Sequence, residues 1–400
     1  MREISTIGRQ LKMIRAELGI SQEILAERAG LSKDLISKLE QGVRRSCRIT
    51  SLMKLANALD VEVSELTGRR ERLGSDRDGG SVLAIRDAVL SPVLLPGMHG
   101  LDVADEDEPT PSPVLDAAVS KAWDQYWRGD FGPLTAALPG LIAEARLSQR
   151  SFGAVAAGHL AQAYQLTANL MVHLGKTELA LVSAERAIRA ATQGDDQWLW
   201  ASGHATYAWV LEHQARLAEA EALAVRVAKE IEPQFSAPSG HVAVWGNLLI
   251  TAIGAAALQA DNVSDRVTAY IQLAAAGAKR LGRTVAAYQT TYGPTKVAVN
   301  EVHAWALLRE PKGALEAAHK VQPVDLRPIA YGHHLLDVAQ ALMDTRRLSA
   351  AEARLTEAER LSPVWFRHQG AARSLVREMR DAKARPSSNV RRLARAVGLD

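Results

Sequence analysis

The sequence predicts an all-α protein made of two unlike helical modules, on three observations. Over the first ~70 residues apolar side chains recur at helical spacing between serine starts and glycine stops. Beyond Pro113 Ala, Leu, Glu, Arg and Gln dominate at the same period, in blocks of about 12 to 22 residues broken by Gly, Pro or Asp pairs, with almost no strand signal. Charge and aromatic residues are unevenly spread: Met1 to Leu73 hold 14 Lys and Arg against 10 Asp and Glu, whereas Gly74 to Ala122 hold 3 against 9. Every histidine lies beyond Leu73, starting at His99, and every aromatic residue beyond Ala122, starting at Trp123.

A chain of 400 residues and 43.2 kDa exceeds what one hydrophobic core usually organises. One cysteine, Cys47, excludes an intrachain disulfide scaffold and a multi-cysteine metal site. The opening MREISTIGRQLK has no apolar signal region. The longest apolar stretch, Val242 to Leu258, is interrupted by Asn247 and Thr251 and reads as a buried helix, not a membrane span. A cytoplasmic, nucleoid-associated protein without membrane contact is expected.

Four segments follow: a first module over 1–73, a connector over 74–113, a large second module over 114–382 and a basic tail over 383–400. The connector combines Gly, Pro, Ser and the acidic run Asp105 to Glu108, a composition that resists packing, with a short helix expected over Val82 to Leu90. The acidic run reads as solvated or as a competitor of phosphates for a basic face.

In the first module Ile7, Leu11, Ile14 and Leu18 set an amphipathic helix ending at Gly19. Ser21 caps a second helix stopped by Gly30, and Ser32 caps a third stopped by Gly42. At about 100° per residue, Lys33, Asp34, Ser37, Lys38 and Gln41 share one side of the third helix, and Leu35, Ile36 and Leu39 the other. Leu52, Leu55, Ala56 and Leu59 give a further helix that completes the core, and Glu65-Leu66 starts a last short one. Two short helices joined by Gly-Leu-Ser match the helix-turn-helix layout, whose second member enters the DNA major groove.

The string LGISQEILAERAGLSKDLISKLEQG, followed by VRRSCRITSLMKLANALDVEVSEL, resembles the Xre/Cro/phage-repressor family of five-helix DNA-binding domains. The resemblance implies that Ser21 and Gln22 anchor phosphate at a helix start. It places Lys33, Asp34, Ser37 and Lys38 at base-reading positions, with Ser32 as the cap. Lys donates to guanine O6 or N7, and Asp accepts from cytosine N4. It puts Arg44, Arg45 and Arg48 in the loop along the DNA backbone, and makes Arg15 and Glu40 an internal salt bridge. Leu35 and Cys47 depart from the usual pattern. The family implies a homodimer on a pseudo-palindromic double-stranded operator.

In the second module ARLAEAEALAVRVAKEIEP, RRLSAAEARLTEAERLSP and the looser KTELALVSAERAI are similar to one another. The second of these fits a tetratricopeptide B-helix at Leu348, Ala351, Ala358 and Pro363, so the module resembles a degenerate tetratricopeptide-like α-solenoid with a concave groove. Trp198, Trp209 and His213 share one side of a helix, and Trp200, His204 and Tyr207 the other; the wheel leaves open which side lines the groove. Trp200, His204 and Tyr207 are taken as groove candidates, together with Asn247, Asn300 and His303. This layout resembles bacterial peptide-sensing regulators that join the same type of DNA-binding domain to tetratricopeptide repeats.

His333, His334 and Asp337 do not read as a metal site, because adjacent helical histidines point about 100° apart. No HExxH, Walker loop, GxGxxG or GxSxG is present, so neither an enzyme nor a cofactor is expected. The tail, with Arg391, Arg392 and Arg395, reads as a final amphipathic helix or a non-specific contact to DNA backbone. These features imply a bacterial sequence-specific transcription regulator whose solenoid senses a peptide, small molecule or protein partner. The alternative is an adaptor whose solenoid recruits a partner while the DNA-binding head only localises it.

Overall fold

The computed structural model describes residues 6–43, positions 55, 58, 59, 61 and 66, and residues 82–92, 109–214, 216–259, 263–382 and 385–399. The all-α class holds: apart from one short hairpin, the regular elements among the described residues are helices. Contacts divide the chain into two compact units, Met1–Ser91 with Thr135–Pro139, and Pro92–Leu134 with Gly140–Asp400.

In the first unit α1 spans Thr6–Glu17, α2 Gln22–Ala29 and α3 Lys33–Glu40. Ser21 Oγ accepts from Ile24 N at 3.2 Å, and Gly30 ends α2 at φ 57°, a left-handed turn that glycine adopts without strain. Ser32 Oγ accepts from Leu35 N at 3.3 Å and starts α3. Leu11, Ile14, Leu25, Ile36 and Leu39 bury together with Leu55, Leu59 and Leu66. Leu52, Ala56, Glu65, Cys47, the side chain of Ile7 and the acidic run Asp105 to Glu108 lie outside the described residues. The connector helix, α4, covers Val82–Val89, with Ile85 and Val89 buried.

The second unit alternates inner and outer helices. The inner set is α5 (Ser112–Arg128), α7 (Ala154–His173), α9 (Gln197–His213), α11 (Ser239–Ala257), α13 (Pro294–Leu307) and α15 (Pro328–Asp344). Between them run α6 (Phe131–Phe152), α8 (Thr177–Gln193), α10 (Leu217–Glu230), α12 (Ser264–Leu281) and α14 (Pro311–Ala318); α16 (Leu348–Leu361) follows. Each inner helix packs on the next, and α15 returns to pack on α5, so the inner helices close a ring. Close approach of the layers rests on alanine: Ala180, Ala184, Ala187 and Ala191 bury one whole face of α8. The apolar helix α11 is a core helix, as its sequence implies, with 83% of its most apolar window buried.

Three short helices complete the unit: α17 (Pro363–His368), α18 (Gly370–Asp381) and α19 (Ser388–Ala396). The basic end is the amphipathic helix α19, capped by Ser387 and docked through Val390, Leu393 and Val397. Arg392 Nη1 lies 2.6 Å from Glu359 Oε2, so this arginine is engaged within the unit.

One short hairpin interrupts the helices. Val285–Ala287 and Thr290–Tyr292 form an antiparallel hairpin, with Val285 opposite Tyr292 and Ala287 opposite Thr290. Its turn residues Tyr288 and Gln289 stand at φ 48° and 61°. They reach across to the inner helices: Ser202 Oγ donates to Tyr288 O at 2.8 Å, and Gln289 Nε2 donates to Gln162 Oε1 at 2.7 Å. Tyr292 anchors the hairpin in the core, its hydroxyl donating to Ala274 O. A Cβ on Gly246 would meet the Tyr292 ring at 2.1 Å. Gly246→Ala is therefore expected to cost about 1 to 3 kcal/mol by overpacking, read as a lower Tm of the helical unit. Gly140→Ala, with open space around it, serves as the control.

Candidate nucleic-acid interface

Helix α3 owes its orientation to its apolar side. Ile36 and Leu39 are fully buried, while Lys33, Asp34 and Lys38 keep 57%, 69% and 50% of their side-chain surface exposed. The helix is pinned at its far end by Glu40, only 2% exposed, which accepts from Arg15 Nε at 2.7 Å and Arg15 Nη2 at 2.9 Å. Arg15 Nη1 also donates to Ile20 O at 2.8 Å, tying the turn before α2 to the same pair. Burial pushes the Glu40 carboxyl up, but the bonds from Arg15 and Gln22 outweigh it and the net shift is downward.

Gln22 also has a structural bond. Its side-chain amide donates to Glu40 Oε2 at 2.9 Å, because that buried carboxylate has acceptor capacity left to fill. Ser21 is exposed and spends its hydroxyl on the cap, as Ser32 does.

The side chains expected to read bases lie on one face of α3 and pair with their neighbours. Lys38 Nζ lies 2.7 Å from Asp34 Oδ2, Lys33 pairs with Glu23 of α2, and Gln41 Nε2 donates to Ser37 Oγ at 2.9 Å. The bond from Lys33 holds the Glu23 carboxyl down at about 2. Such exposed pairs are worth at most about 1 kcal/mol, so they open at little cost when a phosphate or base edge competes. Arg44, Arg45 and Arg48 lie outside the described residues.

A helix-turn-helix family model matches residues 11–66. The chain is also 34% identical over 89 residues, 22% of its own length and 80% of the relative's, to the HTH-type transcriptional regulator SinR of Bacillus licheniformis. The chain belongs to the helix-turn-helix family. SinR of Bacillus subtilis (strain 168) matches with the same identity and coverage. The HTH-type transcriptional regulator SlrR of that organism is 34% identical over 74 residues, 18% of this chain and 49% of the relative. No solved structure matches the chain. The residues of the helix-turn-helix model include Arg15, Glu40 and the whole of α2 and α3, so the geometry above belongs to the family's domain.

The groove candidates of the helical unit divide. Trp200, His204 and Tyr207 do not face the inside of the ring. Trp200 and Tyr207 pack against core clusters shared with α10 and α11, and His204 bonds back to Trp200 O at 2.9 Å. The opposite side of α9 is the inner one: Trp209 packs edge-on against His173 of α7 at 5.7 Å, and His213 against Trp209 at 4.7 Å. Asn300 donates to Lys296 O at 2.7 Å, and His303 Nδ1 lies 3.0 Å from Asp337 Oδ1. Asn247 is half-buried, two helical turns before Gly254, whose face of α11 meets the Glu212 carboxylate.

The sequence reading missed a larger cluster around these groups. Tyr126, His173, His333, Trp365 and Gln369 come from α5, α7, α15, α17 and the residue after α17. The Gln369 amide donates to His173 Nδ1 at 3.4 Å, which leaves Nε2 to carry the proton and donate to Tyr126 Oη at 3.1 Å. Burial pushes His173 well below its ordinary range, assisted by the neighbouring His333, His213 and His368. The available signal was spacing: Lys296, Asn300 and His303, like His333, Asp337 and Gln340, recur at i, i+4, i+7 along one helix face.

Proposed function

We propose that the chain is a DNA-binding transcription regulator that reads a pseudo-palindromic operator as a homodimer through Lys33, Asp34, Ser37 and Lys38. The observation that carries the reading is a capped, solvent-exposed α3 whose polar side is free of the core, within a helix-turn-helix domain. Ser21, Ser32 and the arginines Arg44, Arg45 and Arg48 would position it on phosphate. In this reading the helical unit is a degenerate tetratricopeptide-like array that senses an effector. The alternation of inner and outer helices and the polar inner faces of α7, α13 and α15 support that role. An effector acts by favouring one arrangement of the array, and shifts the DNA-binding equilibrium only by its differential affinity for the two arrangements.

The test compares selected and random duplexes. Lys33→Ala and Lys38→Ala are each expected to cost about 1 to 3 kcal/mol on the preferred sequence and to lower discrimination, whereas Arg44→Ala weakens all sequences alike. Equal losses on specific and random DNA for every variant would remove α3 as the reading element.

A further inference from the structure

The ring of inner helices encloses polar side chains with more hydrogen-bonding capacity than their neighbours use. His333 and His213 are exposed to water and His303 keeps 35% of its side-chain surface, yet His333 lies 5.8 Å from His173 and 4.8 Å from Trp365, both buried. A side chain reached by water but surrounded by protein lines an internal space, and burial brings the His333 imidazole down to about 4 as such a place demands. Where α15 closes on α5, the link is held by Arg327 Nη1 and Asp124 Oδ1 at 3.4 Å.

Two charged groups in this space are unpaired among the described residues. A Cβ on Gly254 would stand 3.0 Å from Glu212 Oε2, so the carboxylate lies against this bare stretch of α11. Lys296 projects from the same face of α13 as Asn300 and His303 and meets no carboxylate, although it acts electrostatically on both His303 and His333. Asp337 is already matched by His303. Burial raises the Glu212 carboxyl, while burial alone acts on Lys296, with no carboxylate beside it. An ammonium taken from water without a partner is costly, and sites that keep one hold a counter-charge.

We propose that this chamber is a binding site for a small organic or inorganic polyanion carrying carboxylate or phosphate groups. Lys296 supplies the charge, and the inward-facing His213, His333 and Asn247 supply hydrogen bonds. The proposal names the ligand class of the effector array inferred above and rests on that reading for its regulatory consequence only.

The test titrates the full chain with citrate and with pyrophosphate, sodium chloride holding ionic strength constant, and follows tryptophan fluorescence, since Trp209 and Trp365 border the histidines. A saturable change is expected with at least one probe and none with chloride. Lys296→Met should weaken it by about tenfold or more, while the exposed Lys229→Met leaves it unchanged. Lys296→Met is expected to fold and to melt no lower than the parent, since it removes a desolvated charge. A second readout needs no variant: citrate binding to the parent falls as pH rises through about 8, where burial makes Lys296 give up its proton. No saturable change with either probe, or the same curve in Lys296→Met, overturns the proposal. Anion binding that leaves DNA affinity untouched upholds the site and counts against the effector reading instead.

Discussion

Glu40→Ala is expected to unfold the DNA-binding head and leave the helical unit intact. The substitution removes the acceptor of three bonds, two from Arg15 and one from Gln22, and strands a guanidinium that is only 16% exposed. Breaking one partner of such a buried pair costs about 3 to 5 kcal/mol, comparable with the whole stability of a small domain. The head has no aromatic residue and a core of Leu, Ile, Val and Ala, so little else offsets the loss. Hydrogen exchange on the full chain should show lost protection in α1 to α3 only, and binding to every DNA sequence should fail together. The sign with pH is fixed by the lowered Glu40 carboxyl: its contribution is complete above the ordinary carboxylate range and is lost as the pH falls through its folded value. Protection unchanged in Glu40→Ala would show that the pair does not hold the head together.

The second large effect is acid sensitivity of the helical unit. Burial holds His333 and His368 down at about 4 and His173 well below its ordinary value. Around them stand Tyr126, Trp209, His213, His303, Asp337 and Lys296; only Asp337 favours protonation of His333, and less than burial opposes it. The folded state thus keeps these imidazoles neutral while the unfolded chain binds protons from about pH 6.5 downward. Their contribution is complete above about pH 6.5 and is lost as the pH falls towards about 4. Thermal melting of the helical unit should drop steeply across that window, and His333→Gln should flatten the drop. His303, raised to about 9 against burial by Asp337, has the opposite sign: it supports the fold below about pH 6.5 and loses that contribution as pH rises through 9. Equal pH dependence in parent and His333→Gln would contradict the interior placement of the ring.

Much of the head was legible because each of its devices is local. Ser21, Gly30, Ser32 and the apolar side of α3 act within a few residues of their own positions, and the structure carries them as expected. The bond from Gln22 to Glu40 was not legible for the opposite reason: the two lie eighteen residues apart, and only the packing of α1, α2 and α3 brings them together. The hairpin was hidden because its turn, Tyr288-Gln289, takes positive φ without the Asn-Gly chemistry that marks such turns, and because its strands are three residues each. In the helical unit the wheel separated two sides of α9 but not their destinations. Trp200, His204 and Tyr207 went to the outer side because α10 buries them there, a fact of ring closure that no single helix encodes. His303 was found, but Lys296, Glu212 and His333 matter only through neighbours on other helices.

Sequence reading by α3 is tested most directly by selection from genomic DNA. The purified chain should be incubated with sheared genomic DNA at about 150 mM salt, where non-specific contacts are weakened, and the retained fragments sequenced. Enrichment of one pseudo-palindrome with half-sites about one helical turn apart is expected, lost in Lys33→Ala and Lys38→Ala. Retention of no sequence above background, or of the same sequences by those variants, would contradict it.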